Sequence, residues 1–240
     1  MKYINNFMNQ LGKKTILTIF SYIVTAIITW LATNRRRVKI SFQSLFRWNK
    51  EIRISCAYLF RIKHEEKYVL IKGNRIDQYQ PVGGVYKYYD SFKSIKDSLD
   101  ITDEQESSFY ENKDLRIRIK GKNILKFLDW FDSKKNREVS VNREFIEEIG
   151  LNDDLNQLLI RNTKFEFIKE IKEPITYSKY FKIDEIKIFD IFDVEISKAI
   201  LDEIIKSDNI QLISKDDIEK ECVFFDDKSR KIAMTAKYIL

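Results

Sequence analysis

The chain has 240 residues, 44% of them hydrophobic and 33% charged, enough to bury a core in one or two domains. Two cysteines and a single histidine, His64 in the polar turn "KHEEK", exclude a zinc cluster and a histidine-based triad. The net charge of +6 would suggest a nucleic-acid polymer as partner if it were spread evenly. It is not: residues 1–50 hold nine Lys or Arg and no acid, and the rest holds 34 basic and 37 acidic residues. No nucleic-acid polymer is therefore expected.

The first segment, 1–34, contains "TILTIFSYIVTAIITWLATN", Thr15 to Asn34, without a charge. At a rise of about 1.5 Å per residue it matches the hydrocarbon thickness of a bilayer. Its hydroxyls can bond back to helix carbonyls, and Trp30 lies near one end, where an indole favours the headgroup level. "RRR" follows at once, in place of a small-residue cleavage site, which argues against a cleaved signal. Arg35, Arg36, Arg37, Lys39, Arg47 and Lys50 outnumber Lys2, Lys13 and Lys14, so a single-pass protein with its C-terminal domain in the cytoplasm is expected. Residues 35–50 read as a basic juxtamembrane linker. "VKISFQSLFRW" within it either rests on an anionic surface or forms a first strand and linker.

Residues 51–240 read as one mixed α/β domain. "RISCAYLFRIK", the turn "HEEK" and "YVLIKG" predict a hairpin. "QPVGGVYKYYD" concentrates one of two prolines and two of six glycines, as a backbone needing positive φ or a close approach would. "SFKSIKDSLDI" predicts a short helix and "LRIRIKG" a strand. "NILKFLDWFDS" predicts a helix with Ile124, Phe127, Leu128 and Phe131 inward. In "VNREFIEEIGLN", Val141, Phe145 and Ile149 share a helical face, the glutamates occupy the other side, and Gly150 is placed to cap the end. "LLIRNTKFEFIKEIK" predicts a strand pair or one long strand, with a turn at Pro174. Then come a strand in "YSKYFKIDEIKIFDIFDVEI", a helix in "EISKAILDEIIKS", a strand and helix in "DNIQLISKDDIEKE", and a tail that packs. Cys56 and Cys222 both sit in apolar runs and are expected buried and reduced.

Glu144, Glu147 and Glu148 offer hard oxygen ligands of the kind Mg²⁺ takes, although an acidic triplet opposite an apolar stripe is usually a solvated face. For an anionic ligand, the lip supplies the backbone amides of Gly83 and Gly84, Lys87 for charge, and Tyr86 and Tyr88 for stacking. Were the lip a strand, Tyr86 and Tyr88 would share one face and Lys87 the other. Arg116 and Arg118 either face the same cleft as the lip or form its solvated outside, and the overall charge content favours the outside.

"REFIEEIGL", Arg143 to Leu151, resembles the second half of the Nudix box in every fixed position, and "QPVGG" is similar to the entry to that box. The resemblance implies a Nudix-like mixed-sheet α/β/α sandwich over residues 51–240. It implies Mg²⁺ as cofactor, held by Glu144, Glu147 and Glu148, with Arg143 and Glu144 catalytic if the domain is a hydrolase. Where the family has a glycine and a glutamate ahead of the arginine, this chain has Asp129 and Lys135. If Gly84 is the counterpart glycine, about 45 residues are inserted, and Glu138 is the candidate to replace the glutamate. Together with the apolar helix, the chain resembles the transmembrane-Nudix effectors of bacterial cyclic-oligonucleotide antiphage (CBASS) systems. That resemblance implies a cyclic nucleotide signal, inner-membrane lipid and further copies of the chain as partners. The alternative is a membrane-tethered, metal-dependent hydrolase of a nucleoside diphosphate derivative.

Overall fold

The computed structural model describes residues 2–73, 76–104, 113–149, 153–225 and 228–240. Helix α1 (Lys2–Thr33) contains the apolar stretch Thr15–Thr33, whose mean hydropathy is 1.9 and no part of which is buried against the rest of the chain. It is long and apolar enough to cross a membrane. Its hydroxyls bond back as expected: Ser21 Oγ donates to the Thr18 carbonyl at 2.8 Å and Thr33 Oγ1 to the Thr29 carbonyl at 2.9 Å.

Asn34 interrupts the helix, and α2 (Arg35–Leu45) follows. Of the two readings of this segment, that of a first strand is overturned. Ile40 and Ser44, one turn apart, are its buried positions, and that spacing fits a helix docked on one side. Gln43 fixes the docking by pairing with both backbone groups of Ile175, at 2.9 and 3.1 Å. Arg47 pairs with Asp184 at 2.8 Å, and Arg37 pairs with Asp129 and Asp132. The linker is thus a helix packed on the domain.

Strand β1 (Glu51–Arg61) alternates as its sequence predicts, with Ile52, Ile54, Cys56, Tyr58 and Phe60 fully buried on one side. Burial pushes the Cys56 thiol pKa up, which keeps it protonated and inert. The expected hairpin is smaller than its sequence. β2 (Lys63–His64) turns through Glu65 at φ 54° into β3 (Lys67–Lys72), while β1 itself belongs to another sheet. β4 (Tyr79–Pro81), α3 (Lys93–Ser98), β5 (Thr102–Asp103), β6 (Arg116–Lys120) and α4 (Ile124–Asp132) come next. The four predicted apolar residues of α4 are all buried, with Trp130 beside them.

Helix α5 (Asn142–Ile149) buries Phe145 and Ile149, and Val141 just ahead of it. Gly150, the expected cap, lies outside the described residues. α6 (Asp153–Asn162) overturns the strand expected at "LLIRN": the run is helical with Leu159 buried, and the strand begins only at Lys164. β7 (Lys164–Lys172), β8 (Thr176–Ser178), β9 (Ile183–Glu195), α7 (Lys198–Ile204), β10 (Ile210–Ser214), α8 (Lys215–Lys220), β11 (Cys222–Phe225), β12 (Lys228–Lys231) and a 3-10 turn (Met234–Ile239) complete the chain. Cys222 is half-buried beside Ser229 and not in the core.

The main sheet runs β5-β6-β1-β9-β7, with β8 on β9. It is mixed: β1 and β9 are parallel, and β6 and β7 are antiparallel to their neighbours. One face of β1 packs on α4, α5 and α7, through Phe127, Phe131, Phe145 and Ile204. Farther along the other face, Leu59, Phe189 and Ile191 pack against β3, β10, α8 and the C-terminal turn. The fold is a mixed α/β sandwich whose second cover is partly a small sheet.

Between these covers one charge cluster is fully enclosed. Arg53, 3% exposed, bonds Glu104 at 2.8 and 2.9 Å and Glu185 at 3.3 Å, and lies 3.8 Å over the Phe181 ring. Removing the cation leaves two carboxylates without their shared counter-charge in a site water does not reach. Arg53→Ala is expected to cost about 3–5 kcal/mol, read as a fall in the denaturant midpoint of the full chain in detergent. A loss below about 1 kcal/mol would mean the cluster is solvated.

Candidate functional site

Beside β1, residues 82–86 continue the line of β6. Tyr58 and Phe60 donate to the carbonyls of Gly84 and Val82 at 2.8 Å, and the Tyr86 amide donates to the Cys56 carbonyl at 3.1 Å. A side chain on Gly83 would overlap the Tyr58 carbonyl, so glycine is required there by close approach and not by positive φ. The added strand-like segment obeys a two-residue alternation. Val85 pairs with Ala57 and shares its face; Gly84 and Tyr86 turn to the helix-covered face.

That alternation decides the fate of the predicted ligand residues. Tyr86 is buried, its ring 3.8 Å from that of Tyr58, and its hydroxyl donates to Asp190. Burial, then the Asp190 charge, pushes its pKa up. Tyr88 is half-buried, its hydroxyl 3.1 Å from both carboxylate oxygens of Asp103. Among the described residues neither ring lines the cleft described next, so the expectation that they stack on a ligand there is corrected: they pack. Lys87 points to the other face, as predicted, and pairs along the backbone with Asp114, but it too lies outside the cleft described next.

A cleft of about 700 Å³ opens on the Ala57 face of the sheet. The strand register sets its floor. Arg116 on β6 and Lys187 on β9 both pair with Ser55 of β1, one on each side. Cross-strand partners share a face, so two cations flank Ser55. Arg116 is held by Asp114 at 2.7 Å and Lys187 by Glu173 at 3.1 Å. Arg116 therefore lines the cleft, against the expectation of a solvated position. Phe189, Ile76 and Met234 give apolar walls, and Gln78 and Gln80 add amides.

The opposite rim is acidic. Gly83, Gly84, Glu144, Glu147 and Glu148 all line it, so the structure brings the two separated motifs to one cavity. Their meeting depends on Gly84: any side chain there would overlap the Glu144 carboxylate. Arg143 organises the rim. Its guanidinium reaches Glu138 at 2.6 Å, Glu144 at 2.5 Å and Glu147 at 2.6 Å. Desolvation lowers the Arg143 pKa, but Glu138 and Glu144 outweigh it and hold the group well above its usual range. Glu138, at its unorthodox spacing, thus joins the cluster, and its own segment pairs with the lip: the Glu138 amide donates to the Lys87 carbonyl at 2.8 Å.

A divalent ion needs several oxygens converging on one point. Among the described residues no three Asp, Glu, His or Cys side chains converge in that way. Three carboxylates converge instead on the Arg143 guanidinium. The expected set of Glu144, Glu147 and Glu148 shares a cleft but does not, in this arrangement, fit a metal.

The family model described as SMODS-associated NUDIX domain matches residues 51–240. No curated protein and no solved structure matches the chain.

Desolvation pushes Glu144 up to about 7, against the lowering effect of Arg143. The folded protein therefore holds this proton between its usual value of 4.5 and about 7, where the unfolded chain does not. The group's contribution to stability is full below 4.5 and is lost as pH rises through about 7. In EDTA, wild type is expected to lose stability across that window relative to Glu144→Gln, measured as the difference in denaturant midpoints. Parallel curves would show that Glu144 is already ionised at its lower limit.

Proposed function

The chain belongs to the SMODS-associated NUDIX domain family, and on that basis we propose that it is a membrane-anchored effector of an antiphage defence system. Its domain binds a cyclic nucleotide signal in the cleft. The Thr15–Thr33 helix holds it in the inner membrane with the domain in the cytoplasm, and assembled copies disrupt that membrane. A lone helix with its backbone satisfied cannot line a hole, so disruption requires several chains.

The observation that carries the binding reading is the charge layout of the cleft. Arg116 and Lys187 stand two strand spacings apart, about 10 Å, on a floor beside the apolar side chains of Phe189 and Met234. Phosphodiesters of a small cyclic nucleotide carry single charges with bases between them, and this layout suits both parts. Asp114 and Glu173 orient the cations.

A second reading, a hydrolase of a nucleoside diphosphate derivative, is favoured by Glu144, Glu147 and Glu148 sharing the cleft with Gly83 and Gly84. Against it, no three carboxylates among the described residues converge on one point as a divalent ion needs.

Two measurements on the full chain separate the readings. A panel of cyclic di- and trinucleotides is titrated by calorimetry, alongside Mg²⁺-dependent product release from nucleoside diphosphate derivatives. Arg116→Gln or Lys187→Gln is expected to weaken cyclic-nucleotide binding about tenfold or more, the value of a charge-assisted hydrogen bond. Glu148→Gln should change it less than about twofold. Turnover in wild type that vanishes in Glu148→Gln, with no cyclic-nucleotide binding in either, would establish the hydrolase.

Orientation has its own test. A reporter active only in the periplasm, fused after Leu240, is expected to be silent, because the basic excess follows the apolar helix. An active fusion would place the cleft on the wrong side for a cytoplasmic signal.

A further inference from the structure

A basic surface lies where the apolar helix ends. Arg35, Arg36 and Lys39 line a second cavity of about 360 Å³, with Lys172 and Pro174 behind them. Lys172 is occupied by Asp132 and Glu170, at 2.6 and 2.7 Å. The nearby Glu173 is occupied by Lys187 and by the Tyr238 hydroxyl. Among the described residues no carboxylate forms an ion pair with Arg35, Arg36 or Lys39. Three cations thus line a cavity while none of them has an ion pair among the described residues, the neighbouring carboxylates being engaged by Lys172, Lys187 and Tyr238.

The rest of α2 continues the same face. Arg35, Lys39, Phe42 and Phe46 recur at helical spacing, opposite the buried Ile40 and Ser44. Phe42 and Phe46 are 62% and 70% exposed, and their rings meet edge to face at 4.9 Å. Leu45 and Trp48 lie exposed beside them. Basic residues beside bulky apolar ones on one helix face are what the headgroup–acyl boundary of a bilayer stabilises.

We propose that α2 carries a binding site for the phosphate headgroup of an anionic phospholipid, formed by Arg35, Arg36 and Lys39, with Phe42 and Phe46 seated beside it at the acyl boundary. The occupant follows from position and charge. The three cations lie within about 10 Å of the end of the apolar stretch, so the anions nearest to them are headgroup phosphates. The site rests on the reading of Thr15–Thr33 as a spanning helix. A free anion in the cytoplasm would use the cations alone; a lipid would also use the two phenylalanines.

The test uses the full chain in detergent, titrated with dihexanoyl phosphatidylglycerol, dihexanoyl phosphatidylcholine and inorganic phosphate. Wild type is expected to bind phosphatidylglycerol about tenfold more tightly than either of the others, given about fivefold per cation near an anionic surface. Combined Arg35→Gln, Arg36→Gln and Lys39→Gln should erase the preference. Should that variant lose its near-ultraviolet dichroism, Lys39→Glu alone is the substitute and should lower the preference severalfold. Phe42→Ser with Phe46→Ser should weaken phosphatidylglycerol and leave inorganic phosphate unchanged. Equal binding of the two lipids, a preference that survives the charge variants, or inorganic phosphate binding as tightly as phosphatidylglycerol would each overturn the headgroup site. Carbonate extraction of membranes tests the spanning helix separately. Release of wild type would overturn that reading and leave the titration to decide the site.

Discussion

Three carboxylates meeting one guanidinium hold the working end of this domain together. Glu138 arrives from the segment just ahead of α5, Glu144 and Glu147 from α5, and Arg143 ties them. Without the arginine, three acidic side chains in a half-buried place would have no shared counter-charge. With it, the segment ahead of α5 is anchored where the chain enters that helix. Upstream, Arg137 repeats the device with aromatic partners. It lies 4.4 Å over the Tyr86 ring and 3.9 Å over the Phe131 ring, and donates to the Phe131 carbonyl at 3.1 Å. Two arginines thus join the lip, α4 and α5.

The cleft is a consequence of sheet geometry more than of any single motif. β6 pairs with the first half of β1 and the 82–86 segment with the second half. Both approach β1 from one side, and the cavity forms over their junction. Alternation then sorts residues without regard to their chemistry. Arg116 and Val85 fall on the open face; Tyr86 falls on the face covered by helices, where its hydroxyl needs Asp190 to be buried at all.

Much of this was legible in the sequence, and the misses have physical causes. Apolar periodicity located α4, α5, β1 and β9, because those elements bury one strong face or stripe. It failed at "LLIRN" and left residues 35–45 open, short runs whose helical state is decided by what they dock against. The Nudix-like box gave the glutamates and the two glycines their common cleft. Lys187, Gln78, Phe189 and Met234 were beyond reach, since each enters the cleft only through strand register or through the fold of the C-terminal turn. Glu138 was visible as a candidate replacement, but only three-dimensional folding shows that the residue with the wrong spacing still reaches the arginine. The tyrosines misled because composition reports what a side chain can do and alternation reports where it points.

The junction between membrane segment and domain has a simple mechanical character. α2 is not a tether: Ile40 is buried, Gln43 pairs with both backbone groups of Ile175, and Arg37 and Arg47 form ion pairs with Asp129, Asp132 and Asp184. Breaking these together would cost several hydrogen bonds and a buried apolar side chain, on the order of 5 kcal/mol. The helix therefore moves with the domain. Arg37 also connects it to α4, whose last turn carries both of the arginine's aspartates and the Phe131 carbonyl that receives Arg137. The cleft rim, α4 and α2 consequently form one packed series. Asn34 is left as the break between that series and α1, with a backbone at φ −101° and ψ 19°, and its side-chain amide bonds the Trp30 carbonyl at 2.9 Å. Asn34 is half-buried and its backbone still bonds Trp30 and Val38, at 2.9 and 3.0 Å, but these two bonds resist bending less than the contacts that fix α2 to the domain. Relative motion of the domain and the apolar helix would accordingly be taken up at residue 34, and not within the domain.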